Sequence, residues 1–468
     1  MKTYLFSSAK KVQYLLVLGD IGVLLISIIA SYCLNMWLRG TAIGLDSITD
    51  KFHPIMFIVI ILYLLPMYLF DQYDLERVMV FPKSCVMLLL GICVSSFLVS
   101  SLFYFAPKHV YGREVLIIYF GLVSLLMLLW RSMAFTALRK GLKAKRLVLV
   151  GHGKIISSFI EDISRLQYTG LELKAVCVMD QGELCVLPSD RWTVRKKGLS
   201  ELLKEKEFDL LAFDSTNGHF SSDEIREILQ LKFQGKTIQD LSSLYENLTG
   251  KVPVTSIDDQ WLLKSPEFQR SDSIVYKKVK RILDVIMAWF FLSATSPLFV
   301  LIAFLIKLES TGPVFFVQER LGVDWKPFRC LKFRTMVENA EDESGPVWAS
   351  EKDSRITRVG RILRKARLDE LPQLWNIIKG EMTFVGPRPI REHFAKKLAE
   401  QIPFYELRFC VKPGLTGWAQ VNYDYAGSEE GQLEKFQYDL FYVRKMSLTL
   451  DLLALFKTFK TVIRRVGT

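Results

Sequence analysis

The first 130 residues constrain this chain more than any other feature. They are largely apolar and fall into four stretches, Tyr14–Leu38, Pro54–Phe70, Cys85–Phe105 and Val115–Trp130. Each is close to the ~20 residues that a helix needs to cross the hydrocarbon core of a bilayer. Lipid offers no partner to a free backbone group, so segments of this kind cross as helices or not at all. The first stretch lacks a small-residue cleavage site and carries Asp20, which argues against a removable signal peptide. Lys2, Lys10 and Lys11 precede it, and Arg131, Arg139, Lys140, Lys143, Lys145 and Arg146 follow the fourth, while the loops after the first and third hold two basic residues each. That asymmetry places both ends in the cytoplasm, with four crossings. Asp20 reads either as a functional intramembrane acid or, more simply, as a polar group facing the bundle.

Half of the 468 residues are apolar and 12% are aromatic, which excludes a disordered chain. The net charge of +12 would suit nucleic acid or an anionic membrane surface. The apolar third favours the membrane, and no nucleic-acid partner is expected. The seven cysteines form no CxxC pair and the five histidines are scattered, so zinc ribbons, thiol redox centres and histidine-built metal sites or triads are not expected. An odd cysteine count with irregular spacing fits a reducing compartment.

The sequence then changes character. Arg146–Gly151 is a short apolar run ending in glycine, followed by a helical pattern over Ile155–Leu166 and by apolar runs at Leu173–Met179 and Phe208–Phe213. Alternating strands and helices predict a parallel α/β domain of the Rossmann type over about residues 145–265. Gly151-x-Gly153 opens its first strand–helix turn, but Ile156 stands where a dinucleotide fingerprint has its third glycine. A structural or regulatory domain is therefore expected rather than one that holds a catalytic cofactor.

A fifth apolar segment, Asp284–Lys307, is long enough to span. Lys277, Lys278, Lys280 and Arg281 stand before it, Lys307 after it and Pro297 at its middle. Proline removes a backbone donor and crowds the carbonyl of Ser293. Two readings stand on the residues alone: a kinked spanning helix, or a break at Ser296-Pro297 that returns the chain to the face it entered.

Beyond Lys307 lies a polar region with dense motifs: Gln318–Gly322 (QERLG), Lys332–Met336 (KFRTM), Leu368–Leu374 (LDELPQL), Gly386–Pro389 (GPRP) and Lys412–Asn422 (KPGLTGWAQVN). Asp369 reads as the start of a helix, with Pro372 in its first turn, Leu374, Ile377 and Ile378 along one face and Gly380 at its end. Helix N-termini attract anions, and Arg361, Arg364, Arg367 and Arg388 surround the two acids with positive charge. One carboxylate could attack phosphorus while the other holds a metal. The plainer alternative is a capping acid pair bonded to surface arginines.

The five ordered motifs resemble the bacterial sugar transferase family of monotopic polyprenyl-phosphate phosphoglycosyl transferases, over about Tyr276–Val462. The upstream bundle and α/β domain are similar to those of its long members, which act on glucose or galactose. The resemblance implies a four-helix transmembrane region (1–131), a CoA-binding-like domain (145–265) and a catalytic domain (276–468). Lys280-Arg281, Asp284 and Ser296-Pro297 match the family's re-entrant membrane helix, at about 284–307. Asp369 would be the nucleophile that takes a hexose-1-phosphate, glucose first and galactose second, from a UDP-sugar with release of UMP. Glu370 would hold Mg²⁺, Arg364 and Arg388 would contact phosphate with Lys332 as a weaker candidate, and Asp439 matches an acid of open role. The acceptor implied is undecaprenyl phosphate at the cytoplasmic face of the bacterial inner membrane, at the start of exopolysaccharide, capsule or O-antigen synthesis. The large accessory region suggests a homodimer. Two departures from the pattern are Ser354, where proline is common, and Arg367, where Ser or Thr usually precedes Leu-Asp-Glu. Competing functions are a membrane regulator of polysaccharide export with an inactive transferase domain, and a glycosyltransferase that would release UDP. Finally, Leu450–Val466 alternates apolar and basic residues as an amphipathic helix, suited to a membrane surface or to packing on the catalytic domain.

Overall fold

The computed structural model describes residues 4–40, 55–70, 72–73, 81–105, 113–141, 144–151, 153–165, 171–178, 195–196, 208–214, 221–254, 259, 274–337, 355–423 and 429–463. These form two compact units. In the first, the N-terminal helices are α1 (Tyr4–Leu38), α2 (Ile55–Leu69), α3 (Phe81–Phe105) and α4 (Arg113–Gly141). The described part of α2 has 15 residues, about 22 Å of helix and short of a full crossing. The inward face of α1 carries Leu16, Asp20, Leu24, Ser27, Ser31 and Asn35, all buried, while Leu15, Leu18, Ile26 and Trp37 face outward. A polar stripe inside and an apolar surface outside invert the pattern of a water-soluble bundle, as an apolar solvent requires. The Ser27 and Ser124 hydroxyls donate back to the carbonyls of Val23 and Phe120, each at 2.7 Å. Asp20 is fully buried and accepts from Arg131 at 2.5 Å, Tyr73 at 2.8 Å and Trp130 at 3.0 Å. It therefore faces the bundle and clips α1 to α4.

The α/β sheet has five strands: β1 (Lys145–Gly151), β2 (Leu171–Val178), β3 (Arg195–Lys196), β4 (Leu210–Phe213) and β5 (Thr237–Asp240), in the order β3-β2-β1-β4-β5. The first strand is central and the chain steps outward on both sides of it, as in doubly wound folds. Helices α5 (Gly153–Arg165) and α6 (Ser222–Phe233) interrupt the strands. Ile156 is fully buried, so the position of the missing third glycine is filled by core packing. The sequence pattern located β1, β2 and β4 but not β3 or β5, which are two and four residues long.

The second unit holds α7 (Leu241–Thr249), α8 (Ile274–Glu309), the antiparallel hairpin β6 (Phe315–Leu321) with β7 (Pro327–Phe333), α9 (Arg358–Lys365), α10 (Gln373–Lys379), β8 (Thr383–Val385), α11 (Glu392–Gln401), β9 (Gly414–Thr416), α12 (Trp418–Asn422), α13 (Glu429–Lys445) and α14 (Leu448–Ile463). Residues 240–254 pack here. Val252 and Val254 share a core cluster with Phe436 and Leu440, Lys251 meets Glu434 at 2.5 Å, and the Trp418 indole donates to the Gly250 carbonyl at 3.0 Å. The expected domain boundary near residue 265 lies outside the described residues.

Helical geometry in α8 continues through Ser296 and Pro297 rather than stopping there. The Thr295 hydroxyl donates to the Phe291 carbonyl at 2.7 Å and Ser296 to Ser293 at 2.8 Å. Carbonyls near the proline are thereby satisfied from within the segment. Both halves of α8 root in the same domain. Before the proline, Arg281 donates to the carbonyls of Ile377 and Ile378 at 2.5 and 2.7 Å, and Asp284 accepts from the Thr383 hydroxyl at 2.6 Å. After it, Ile302 and Ile306 join Phe333 and Leu363, and Glu309 accepts the N–H groups of Arg358 and Val359 that open α9. Leu371 packs against the core clusters of both halves, while Trp289, Phe290, Val300 and Leu301 between them are exposed.

Candidate active site

Two of the other four sequence motifs, KFRTM and GPRP, place side chains on the acid pair, and backbone geometry brings them there. Arg367 adopts the left-handed region at φ +58°, and a single 3-10 turn, Leu368–Glu370, follows. Asp369 is therefore not the N-cap of a helix. Helix α10 starts one step later, behind Pro372, with Leu374 and Ile377 buried. Gly380 ends it at φ +89°, donating to Asn376 and Ile377, as expected. Asn376 is fully buried and ties α10 to β7: its oxygen accepts from Leu331 N–H at 3.1 Å and its amide donates to the Arg329 carbonyl at 2.7 Å. That clip sets KFRTM beside LDELPQL.

Glu370 is the hub. Its Oε1 accepts from Arg388 at 2.6 Å and from Lys332 at 3.2 Å, with its side chain 9% exposed. Burial opposes ionisation, but Arg388 and Lys332 outweigh it and hold the carboxyl well below the usual carboxylate range. Arg367 adds to the same pull, so the substitution that departs from the family pattern acts on the dyad. Asp369 is also buried but has no such anchor among the described residues. Burial, then the charge on Glu370, push its carboxyl above the usual range against the pull of Lys332, Arg388 and Arg364. The two acids are thus pushed apart in pKa, the pattern that separates an anchored charge from a reactive one. Arg364 donates to the Thr335 hydroxyl at 2.8 Å.

Arg388 is placed by a close backbone approach. GPRP and KPGLTGW lie along the parallel pair β8–β9, with Gly386 N–H donating to Thr416 and Gly414 N–H to Pro387, each at 2.9 Å. A Cβ on Gly414 would collide with the backbone of Gly386, and one on Gly386 with the Lys412 carbonyl. Only glycine allows the two motifs to close. Behind this pair, Arg408 donates at 3.0 Å both to Asp439 and to the Arg388 carbonyl, and also to Tyr405. Asp439 therefore supports Arg388 from the core and does not face the acid pair directly. Burial lowers Lys435 to about 8, with Arg388 nearby adding to the effect. Ser296 and Pro297 are not among the groups around the acids. Arg408, Thr335, Asn376 and Lys435 escaped the sequence reading. Thr335 lay inside the KFRTM motif without a role assigned to it, and Arg408 had an indirect signal, since Asp439 lies between Phe436 and Leu440 on an apolar face and a buried acid there needs a cation.

Among the described residues no group of three acids, histidines or cysteines could hold a metal. The donor set is two carboxylates, of which Glu370 commits one oxygen to Arg388 and Lys332. That set fits Mg²⁺, which takes one or two carboxylates and completes its shell with water and substrate phosphates.

The model of the bacterial sugar transferase family matches residues 275–465, and a CoA-binding domain model matches residues 68–186. A relative from Caulobacter vibrioides, named a UDP-glucose:undecaprenyl-phosphate glucose-1-phosphate transferase, is 42% identical over 186 residues, 39% of this chain and 69% of the relative. The chain belongs to the bacterial sugar transferase family. An Aeromonas hydrophila member, named a UDP-N-acetylgalactosamine-undecaprenyl-phosphate N-acetylgalactosaminephosphotransferase, is 40% identical over 49% of this chain and 53% of its own length. An Escherichia coli (strain K12) member, named for the glucose-1-phosphate reaction, is 38% identical over 49% of this chain and 48% of its own length. The chain thus spans about half the length of these last two family members.

Proposed function

We propose that this protein transfers a hexose-1-phosphate from a UDP-sugar to undecaprenyl phosphate, releasing UMP, at the cytoplasmic face of the bacterial inner membrane. The reaction would initiate exopolysaccharide, capsule or O-antigen synthesis. The observation that carries this reading is the asymmetric dyad: Glu370 pinned by Arg388 and Lys332, beside Asp369, which lacks an anchoring hydrogen bond among the described residues. In the first step an Asp369 oxygen attacks the phosphorus that carries the sugar. The bond from that phosphorus to the bridging oxygen breaks, and the oxygen leaves with its electron pair on UMP. In the second step an oxygen of the lipid phosphate attacks the same phosphorus and frees Asp369. Arg388, Lys332 and Arg364 bind phosphate oxygens and offset their charge. Glu370, with its uncommitted oxygen, is the residue to hold Mg²⁺, which when bound supplies charge neutralisation on the pyrophosphate.

The membrane reading of the catalytic unit draws on α8. Its two halves meet one domain around Leu371 and its apolar middle is uncovered. We take α8 to enter and leave the bilayer on the same face. Exposed Leu452, Leu453, Phe456 and Phe459 on α14, whose buried Asp451 and Ala454 face the domain, extend the apolar surface. That helix thus supports both alternatives drawn from its sequence.

Names of the relatives support a hexose but do not single one out. The test is a nucleotide-release assay with undecaprenyl phosphate and UDP-glucose, UDP-galactose or UDP-N-acetylgalactosamine. UMP release with one of them supports the proposal. Release of UDP would make the protein an ordinary glycosyltransferase, and no release with any would favour the regulatory reading.

A further inference from the structure

A cavity of about 390 Å³ opens at the root of α8, and none of its lining residues belongs to the acid pair or to the cations around it. Its charged lining is Lys277, Lys280, Arg281 and Lys412 against Asp284 and Asp324. Internal contacts use several of these. Asp284 accepts from the Thr383 hydroxyl and the Phe384 N–H, and Lys280 meets Asp451 at 2.7 Å. Arg281 spends its fork on two carbonyls at the C-terminal end of α10 and has no ion-pair partner among the described residues. Lys412 reaches the same helix end, since both it and Arg281 would touch a Cβ placed on Gly380. Among the described residues Lys412 has no acid partner within ion-pair distance. Asp284 lies near enough to pull the other way, yet burial followed by Arg281 lowers the Lys412 ammonium below its usual value, so the two cations outweigh the acid beside them and favour an anion.

Val323, Val385, Val411 and Met446 add apolar wall beside Tyr276, Tyr442, Thr383 and Cys410. Next to Arg281 and onward along α8, Ile282, Leu283 and Ile286 are exposed outside the cavity. A ligand here meets cations together with apolar wall, the combination that suits a lipid headgroup and the start of its chain. We propose that this cavity binds a phosphate group carried by a membrane lipid, clamped by Lys412 and Arg281, at a site separate from the one where phosphoryl transfer occurs. The lipid source rests on the reading that α8 enters the bilayer, while the phosphate chemistry rests on the cavity alone.

The experiment titrates the full chain, purified in detergent and without UDP-sugar, with short-chain phosphatidylglycerol, with the same diacylglycerol lacking phosphate, and with inorganic phosphate. Phosphatidylglycerol should saturate one site per chain, and Lys412→Gln should weaken it about tenfold or more, the scale of one charge-assisted contact. The phosphate-free lipid should not compete. Inorganic phosphate binding as tightly, with the same dependence on Lys412, would keep the phosphate site but overturn its assignment to lipid. Equal binding of the phosphate-free lipid, or no effect of Lys412→Gln, overturns the proposal. Should Lys412→Gln fold poorly, Met446→Trp fills the cavity without removing charge and should block the lipid. Asp369→Asn protein should bind like wild type, which separates failure here from failure of the transfer reaction.

Discussion

Asp439 and Arg408 form the ion pair whose removal should report most clearly on how the active site is supported. Their side chains are 3% and 6% exposed and meet at 3.0 Å, and the same guanidinium holds the Arg388 carbonyl. Replacing Asp439 with Leu leaves a buried guanidinium without its counter-charge, which costs about 3–5 kcal/mol. Replacing both partners with Leu removes the charges together and is close to neutral in comparable buried pairs, so most of that loss should return. A chain of several domains does not unfold in one step, so the readout must be local. Hydrogen exchange in peptides from α13 serves. A loss of about 3 kcal/mol corresponds to exchange faster by roughly a hundredfold, at 1.36 kcal/mol per decade. At pH 8 the single variant should show that acceleration and the double variant should recover at least half of it on a logarithmic scale. Transfer activity should fall most in the double variant, because only there does Arg388 lose the guanidinium that holds its carbonyl. Less than about tenfold acceleration in the single variant, or no recovery in the double, would refute the reasoning that this pair is a charge-matched brace.

Glu370→Gln should cut transfer steeply, since Arg388 and Lys332 lose the charge they share, and it should lower the response to added Mg²⁺. The acid limb of kcat/KM against pH should also move to lower pH: Asp369 must be ionised to attack, and a neighbouring negative charge that raises its pKa is gone. Gly414→Ala should destabilise the β8–β9 contact by about 1–3 kcal/mol, read as a lower thermal inactivation temperature. Pro297→Leu restores a backbone donor and should favour a straight helix, moving an engineered cysteine after Lys307 toward labelling by an impermeant reagent from outside. Unchanged topology and full activity would show that the proline does not enforce re-entry.

Much of the architecture was legible because its physics is local. A stretch of apolar residues near bilayer length, an apolar run ending in Gly151 and a glycine at position 380 each act through their own segment. The acid pair was legible as a pair, but its geometry was not. Arg367 gives no sign in the sequence that it takes a positive φ, and that single angle turns an expected N-cap into a separate 3-10 turn ahead of α10. The partners of Glu370 come from motifs 38 and 18 residues away, and only the closed Gly386–Gly414 contact and the Asn376 clip bring them in. The role of Asp439 was hidden for the same reason, since its partner Arg408 lies 31 residues away on a different element.

The proposed reaction depends on Asp369 becoming covalently attached to the sugar phosphate. Enzyme and Mg²⁺ incubated with the correct UDP-sugar and no lipid should give a burst of UMP stoichiometric with enzyme. The peptide containing Asp369 should gain the mass of a hexose phosphate, Asp369→Asn should give neither signal, and adding undecaprenyl phosphate should discharge the adduct. No adduct on wild-type enzyme, together with kinetics that require both substrates bound at once, would contradict the account and leave the dyad as a metal and base site.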